Sequence, residues 1–148
     1  MEAALHRLYK RVVATELRNE DYTVYVEPAD SPVERLWWAS YRPDVLGILS
    51  TMSLLAVAVA ECETVPTRQR ILAKTSQLQR TLVLQPQLHE GHAVRPLVII
   101  PPMTLRRINH AAIRRFWEIW IVNRRGLVIH KIPPTAHPNR MMAHRHTP

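Results

Sequence analysis

The sequence predicts an α/β fold in which helices flank a mixed central sheet. An amphipathic helical pattern opens the chain, two long apolar runs follow it, and helical and strand-like segments then alternate. The chain has 148 residues, enough for one domain with a hydrophobic core and too few for two of full size. We therefore expect one domain over residues 1–134 and a basic tail over residues 135–148.

The first half of the chain predicts one helix and three strands. From Glu2 to Glu20 apolar residues recur at three- and four-residue spacing, which is typical of an amphipathic helix. Residues 22–26 alternate and are rich in aromatic and β-branched side chains, which favours a strand that ends in the loop at residues 28–32. Residues 44–49 and 54–64 are nearly continuous apolar runs, so we expect two central strands buried on both faces.

The middle of the chain predicts a helix, a loop, a strand and a further helix. Helical spacing returns over residues 67–84, directly after Pro66, where a helix can begin. Residues 85–95 contain a proline, a glycine and two histidines and predict a loop, and residues 97–100 predict a short buried strand. Spacing of apolar residues predicts the further helix over residues 103–115.

The last elements are predicted to form a hairpin. Residues 117–122 and 127–132 are strand-like runs, and the loop between them ends in Gly126. Trp117 and Trp120 are three residues apart, so a strand places them on opposite faces. We expect one of them in the core, while the other either stacks on a base or fills a subunit interface.

Acidic residues mark the ends of the two central strands. Asp44 begins one strand, and Glu61 and Glu63 end the next. Because side chains alternate along a strand, both glutamates share one face and Cys62 takes the other. In a hairpin with an even number of loop residues, Asp44 lies opposite Glu61 or Val59, on the face of the glutamates. The sequence thus predicts three carboxylates together at one end of the sheet.

Such a cluster favours a metal site. Carboxylates held close together repel one another unless a cation offsets their charge. Cross-strand Cβ atoms lie about 4.5 to 5.5 Å apart, at which two carboxylates can share one hard cation such as Mg²⁺ or Mn²⁺. That ion would activate water and neutralise charge on a phosphate. The alternative is that Glu61 and Glu63 are solvated residues at a strand end, paired with Arg68 and Arg70.

The element order and two motifs resemble a known superfamily. Pro43-Asp44 opens the second strand and Glu61-Cys62-Glu63 ends the third, a pattern similar to the PD-(D/E)XK nucleases over residues 5–100. The resemblance implies a restriction-endonuclease-like αβββαβ core, here with an added C-terminal helix and hairpin. It also implies that Asp44 and Glu61 bind the metal ion.

The chain departs from this pattern at one catalytic position. The lysine that the superfamily usually carries two residues after the acid is Glu63 here. Some members of the superfamily have a glutamate at this place, and others carry the lysine on the following helix. The resemblance therefore implies that Lys74 or Arg70 reaches the acids from that helix.

A finer resemblance points to archaeal Holliday-junction resolvases. These proteins use a glutamate of the first helix as a further metal ligand, and by position this is Glu16, with Glu20 as the weaker candidate. Because many nucleases of this fold work as dimers, the resemblance also implies a homodimer.

The charge balance favours an anionic partner. Lysine and arginine number 20 against 12 aspartates and glutamates, a formal net charge of +8. Arginine suits phosphate oxygens, so we expect nucleic acid, and by the resemblance DNA rather than RNA. A solvated charged face is the alternative. The candidate phosphate-binding residues are Arg68, Arg70, Arg106, Arg107, Arg124 and Arg125.

Location is predicted from one cysteine and from apolar runs. Cys62 is the single cysteine and cannot form an internal disulfide, which suits a reducing compartment. The first residues lack the basic and apolar segments of a signal peptide, and no apolar run approaches the roughly 20 residues of a membrane span. We expect a cytoplasmic protein with no membrane partner.

Two main functions remain open from the sequence, and a weaker third is a ribonucleoprotein component with an incidental acid cluster. In the first, a magnesium-dependent endonuclease cleaves DNA: Asp44 and Glu61 hold the ion, Glu63 supports it or orients water, and Lys74 or an arginine stabilises the transition state. In the second, a non-catalytic nucleic-acid-binding or assembly subunit retains the nuclease fold. The two differ in whether a basic side chain reaches the acids.

Overall fold

The computed structural model describes residues 3–27, 41–51, 55–84 and 92–135. The predicted loop at residues 28–32 and residues 136–148 of the predicted tail lie outside these ranges. The helices are α1 (Ala4–Asn19), α2 (Arg68–Leu84) and α3 (His110–Ile113). The strands are β1 (Thr23–Val26), β2 (Val45–Ser50), β3 (Leu55–Cys62), β4 (His92–Ile100), β5 (Glu118–Val122) and β6 (Val128–Ile132). The predicted αβββαβ order, followed by a helix and a hairpin, is confirmed.

The strands form one six-stranded mixed sheet in the order β1-β2-β3-β4-β5-β6. The first three strands are mutually antiparallel, β3, β4 and β5 are parallel, and β6 returns antiparallel to β5. One end of the sheet therefore collects the last residues of three neighbouring strands, Cys62, Ile100 and Val122. We call this end, where β2 also begins, the carboxyl end of the sheet.

Both faces of β3 are buried, as its apolar run predicts. On β3, Val57 and Val59 face the core under α2, while Ala58, Ala60 and Cys62 face the core under α1. Side chains alternate between the two faces of a strand, so a strand that is covered by a helix on each face buries both sets of side chains.

Small residues let α1 approach the sheet closely. An added Cβ on Gly47 of β2 would lie 3.0 Å from Cδ1 of Tyr22 and 3.3 Å from Cδ1 of Leu17. Tyr9 of α1 donates its hydroxyl to the carbonyl oxygen of Val122 at 2.5 Å, which anchors the helix at the carboxyl end of the sheet. The first turns of α1 consequently lie beside the start of β2.

Two predicted boundaries were wrong. Of the predicted loop at residues 85–95, residues 85–91 lie outside the described ranges, and residues 92–95 belong to β4, which pairs along β3 from Leu55 to Cys62. The predicted helix at residues 103–115 is helical only in α3. Met103 and Asn109 adopt left-handed backbone angles, with φ of 68° and 53°, which a right-handed helix does not accommodate.

The apolar residues of this segment still pack without a continuous helix. Ile108 and Ile113 are buried in the core under α2, and Leu105 packs against it. The spacing of these apolar residues therefore reflects their contacts with the core, which a series of turns makes without a continuous helix.

The two tryptophans lie on opposite faces, as predicted, but both are core residues. Trp117 is buried under α2 and donates its ring N–H to Oγ1 of Thr75 at 2.6 Å. Trp120 is buried under α1, with the Lys131 ammonium 4.3 Å from its ring centroid. The prediction that one of them is left to stack on a base or fill an interface was wrong.

No helix among the residues described above is both long enough and apolar enough to cross a lipid bilayer.

Candidate active site

Asp44 and Glu61 meet at the carboxyl end of the sheet. The register pairs Val45 with Ala60, so Asp44, one residue earlier, lies beside Glu61 and not beside Val59. The carboxyl group of Asp44 is close enough to Glu61 to raise the pKa of the Glu61 carboxyl group. Oδ2 of Asp44 also accepts the backbone N–H of Cys62 at 2.8 Å, which holds the aspartate against the end of β3.

Two further side chains position Glu61. Buried Tyr41 donates its hydroxyl to Oε1 of Glu61, and Nζ of Lys74 lies 3.6 Å from Oε2 of the same carboxyl group. Lys74 comes from the second turn of α2, which follows β3 after a short connection. Of the two basic residues that the resemblance implied, Lys74 is the one that reaches Glu61.

Burial controls the protonation of Glu61. Its exposure is 1%, and desolvation, followed by the neighbouring charge of Asp44, raises its pKa to about 8. Lys74 and the Tyr41 hydrogen bond act in the opposite direction. Glu61 is therefore largely protonated at neutral pH when no cation is bound.

Glu63 and His6 complete the polar wall of the site. Glu63 is 6% exposed, and burial raises the pKa of its carboxyl group, although Arg70 opposes this with Nε 3.6 Å from Oε2. His6 of α1 places Nε2 3.4 Å from Oδ2 of Asp44. Together with Asp44, Glu61 and Lys74, these residues line a cavity of about 210 Å³.

The metal-free protein is expected to lose stability as pH rises from about 4.5 to about 8, the ordinary and folded pKa values of Glu61. Across this window the folded state holds a proton that the unfolded state has released, so the free energy of unfolding falls with pH. Urea unfolding in EDTA at several pH values measures the slope. Glu61→Gln cannot ionise and is expected to flatten it, making the variant the more stable protein at pH 8 by on the order of a few kcal/mol. Equal slopes in both proteins would contradict the raised pKa.

The sequence did not single out His6 or Tyr41 as site residues. His6 lies on the helix, ten residues before Glu16, and its only sequence signal is a polar residue on the first turns of an amphipathic helix. Tyr41 precedes Asp44 by three residues in an aromatic segment whose simplest interpretation is core packing. A buried tyrosine hydroxyl requires a partner, but the sequence does not tell which one.

Glu16, predicted as a further metal ligand, lies away from the acids. Its Oε2 is 3.1 Å from Nζ of Lys131 on β6, and the alternative Glu20 pairs with Arg95 at 2.8 Å. Ten residues separate Glu16 from His6, a rise of about 15 Å along a helix. Since it is His6 that reaches Asp44, the placement predicted for Glu16 was wrong.

Cys62 points away from the acids, as strand alternation predicts. Its side chain packs in the core under α1, and burial raises the pKa of its thiol well above the ordinary value. A buried thiol that resists ionisation is a poor nucleophile.

The available carboxylate groups suit a magnesium ion that keeps several water ligands better than a metal ion held by protein side chains alone. Within the described ranges, no group of three or more His, Cys, Asp and Glu side chains is arranged to hold a metal ion. Mg²⁺ characteristically binds one or two carboxylates and completes its coordination with water and phosphate oxygens. Asp44 and Glu61 supply two hard oxygen donors side by side, and the cost of ionising both falls if a cation lies between them.

Comparison with known proteins yields a fold likeness only. No family model and no curated protein matches the sequence. An XisH family protein from Nostoc punctiforme shares 9% identity with a TM-score of 0.49, over 84% of this chain and 98% of that one. An fdxN element excision controlling factor protein from Anabaena variabilis shares 10% identity with a TM-score of 0.48, over 85% and 98%. At TM-scores below 0.5 neither likeness assigns an activity, and neither supports the finer resemblance to archaeal Holliday-junction resolvases.

The six predicted phosphate-binding arginines all lie at the end of the sheet that carries the acids. They follow the ends of β3, β4 and β5, which meet at the carboxyl end of the sheet, and all are exposed. Arg68 and Arg70 begin α2, Arg106 and Arg107 lie in the turns after β4, and Arg124 and Arg125 lie in the β5–β6 loop. Exposed basic side chains therefore follow three strands at the same end of the sheet as the acids.

Proposed function

We propose that this protein is a metal-dependent nuclease that hydrolyses phosphodiester bonds of DNA at the carboxyl end of its sheet. The observation that carries the proposal is the ammonium group of Lys74, which lies 3.6 Å from a carboxyl oxygen of Glu61, the residue beside which the strand register places Asp44. This is the set of groups that phosphodiester hydrolysis needs: two carboxylates for a cation and a cationic side chain for the charge on the phosphate.

Each side chain of the cavity has a role that follows from its place. Asp44 and Glu61 would hold Mg²⁺ or Mn²⁺, and Tyr41 keeps the Glu61 carboxyl group oriented towards Lys74. A bound Mg²⁺ supplies positive charge next to the phosphate and favours ionisation of the attacking water. Lys74 stabilises negative charge on the phosphoryl oxygens, and Glu63 orients water within the cavity.

The distribution of charge supports a nucleic-acid substrate. At the opposite end of the sheet Arg95 is neutralised by Glu20 at 2.8 Å and by Glu118 at 2.9 Å. The exposed arginine pairs Arg106-Arg107 and Arg124-Arg125 belong to the carboxyl end. An excess of arginine around an acidic cavity attracts a polyanion to the groups that would act on it.

The choice of DNA and the finer substrate rest on different grounds. DNA follows from the resemblance to the PD-(D/E)XK superfamily. The resemblance to archaeal Holliday-junction resolvases rested on a glutamate ligand from the first helix, and Glu16 pairs with Lys131 instead. The proposal therefore does not extend to four-way junctions.

The non-catalytic alternative is less well supported. It predicts that no basic side chain reaches the acids, whereas Lys74 and Arg70 each lie 3.6 Å from a glutamate of the site.

The wild-type protein is expected to cleave DNA only when a suitable divalent cation is present. Purified protein is incubated with supercoiled plasmid and with linear single-stranded DNA in Mg²⁺, in Mn²⁺ and in EDTA. Cleavage in either metal and none in EDTA is the expected result, and added EDTA should stop a running reaction. DNA that is bound but remains intact in both metals would overturn the catalytic part and leave the binding subunit.

A further inference from the structure

Three exposed apolar side chains lie at the carboxyl end of the sheet. Val65, Met103 and Leu127 are 68%, 94% and 65% exposed. Single exposed apolar residues are ordinary on a protein surface, so exposure alone means little. Beyond their exposure, the three residues share a location at the carboxyl end of the sheet and have arginines close by in the sequence.

The three residues lie on loops that follow three neighbouring strands. Val65 follows β3, Met103 follows β4, and Leu127 closes the loop that follows β5. These strands are hydrogen-bonded neighbours and run parallel, at a spacing of about 4.8 Å. The three loops therefore leave the same end of the sheet, and we call Val65, Met103 and Leu127 the apolar row. Val65 also lines the cavity that contains Asp44 and Glu61.

Each member of the apolar row has exposed arginines close by in sequence. Val65 is followed by Arg68 and Arg70, Met103 by Arg106 and Arg107, and Leu127 is preceded by Arg124 and Arg125. The same pairing of one apolar side chain with two arginines thus recurs on three adjacent loops.

The loop that carries Leu127 is held in shape by its own hydrogen bonds. Oδ1 of Asn123 accepts the backbone N–H of Arg125 and that of Leu127, both at 2.9 Å. Gly126 lies between them with φ of 85°, an angle that glycine adopts without strain. The arginines and Leu127 are therefore presented on a preformed loop, which lowers the entropy cost of binding.

The loop that carries Met103 is constrained in a similar way. Oγ1 of Thr104 donates to the carbonyl oxygen of Pro101 at 2.7 Å, and Met103 has φ of 68°. A left-handed backbone is unfavourable at a residue with a side chain, and such strain is frequent where a side chain is held for a ligand. Met103 is accordingly projected into solvent beside the arginines.

We propose that the apolar row contacts unstacked bases, so that the preferred ligand of this surface is duplex DNA interrupted by unpaired nucleotides. This rests on the nucleic-acid binding of the proposed function. Arginines alone suffice to hold phosphates, and they do so without regard to base pairing. Apolar side chains gain most contact area from base faces, which a regular duplex keeps stacked and an unpaired segment exposes. Insertion costs least where the bases are already unpaired.

The test compares two DNA ligands in EDTA, so that cleavage does not interfere. Fluorescence anisotropy measures the affinity for a duplex oligonucleotide and for the same oligonucleotide with a central bubble of mismatches. The wild type is expected to bind the bubble about tenfold more tightly, because its bases are already unstacked and can receive apolar side chains without opening the duplex. The triple variant Val65→Ser, Met103→Ser, Leu127→Ser is expected to lose this preference and to keep the salt dependence of duplex binding.

Two controls separate base contacts from general effects. Ile129→Ser alters an exposed apolar residue of β6 outside the row and should keep the preference for the bubble. Arg124→Gln should weaken binding of both ligands alike and reduce the salt dependence. Equal affinity of the wild type for the two ligands, or an unchanged preference in the triple variant, overturns this inference alone. If neither ligand is bound, the nucleic-acid part of the proposed function fails with it.

Discussion

Asp44→Asn is expected to reduce metal-dependent DNA cleavage about a thousandfold or more while DNA affinity stays close to that of the wild type. The substitution keeps the shape of the side chain and an oxygen that can accept the N–H of Cys62. It removes the negative charge that would hold the cation beside Glu61, and loss of metal assistance is worth several kcal/mol in a transition state. Cleavage rates at saturating protein, with DNA affinity measured separately, separate the two effects.

Glu16→Gln is the matched control for this variant. It makes the same change from carboxylate to amide, but at a surface pair with Lys131 away from the cavity. Its cleavage rate should equal that of the wild type. Were Asp44→Asn to cleave as fast as Glu16→Gln, with both proteins folded by circular dichroism, Asp44 would have no part in the reaction.

Lys74→Met is expected to lower the cleavage rate by about 10² to 10³, the usual loss when one charge-stabilising group is removed. The stem of the side chain is kept, and only the ammonium group beside Glu61 disappears. Because Lys74 lowers the pKa of Glu61, the variant should also need a higher pH for half-maximal activity. A pH profile of the cleavage rate detects this shift, which a purely structural effect would not produce.

Two further variants test the specificity of this loss. Lys74→Arg keeps the positive charge and should recover part of the rate. Arg80→Met removes a cation from an exposed position of the same helix and should leave the rate and its pH profile unchanged. A Lys74→Met protein that cleaves like Arg80→Met would assign charge stabilisation to another side chain, with Arg70 the next to be tested.

The order of elements and the pairing of the acids follow from local sequence pattern. The three- and four-residue spacing of apolar residues distinguished α1 and α2 from the strands. Continuous apolar runs identified β2 and β3 as central strands buried on both faces. Strand alternation is strictly two-fold, so the side of the sheet taken by Glu61, Glu63 and Cys62 could be predicted before any tertiary contact was known. The same rule left Glu61 and Val59 as the possible cross-strand neighbours of Asp44, and the observed register places Asp44 beside Glu61.

Local pattern failed where packing depends on the angle or strain of a segment. Residues 103–115 carry helical spacing, yet the left-handed angles of Met103 and Asn109 divide them into turns that still bury Ile108 and Ile113. Trp120 was expected to be one of two candidates for a surface role, but α1 covers it. The spacing of apolar residues indicates which residues are buried together, but it does not indicate how the backbone bends between them.

By itself, the sequence determined the αβββαβ order, the meeting of Asp44 with Glu61 or its neighbour on that face, and the basic surroundings. The tertiary structure alone decided which distant side chains reach the acids: Lys74 contacts Glu61, Tyr41 orients it, and His6 rather than Glu16 meets Asp44. The reason is physical. Neighbours along a strand are set by a fixed two-residue period, whereas contacts between elements depend on the axial position and tilt of each helix over the sheet, which no local pattern encodes.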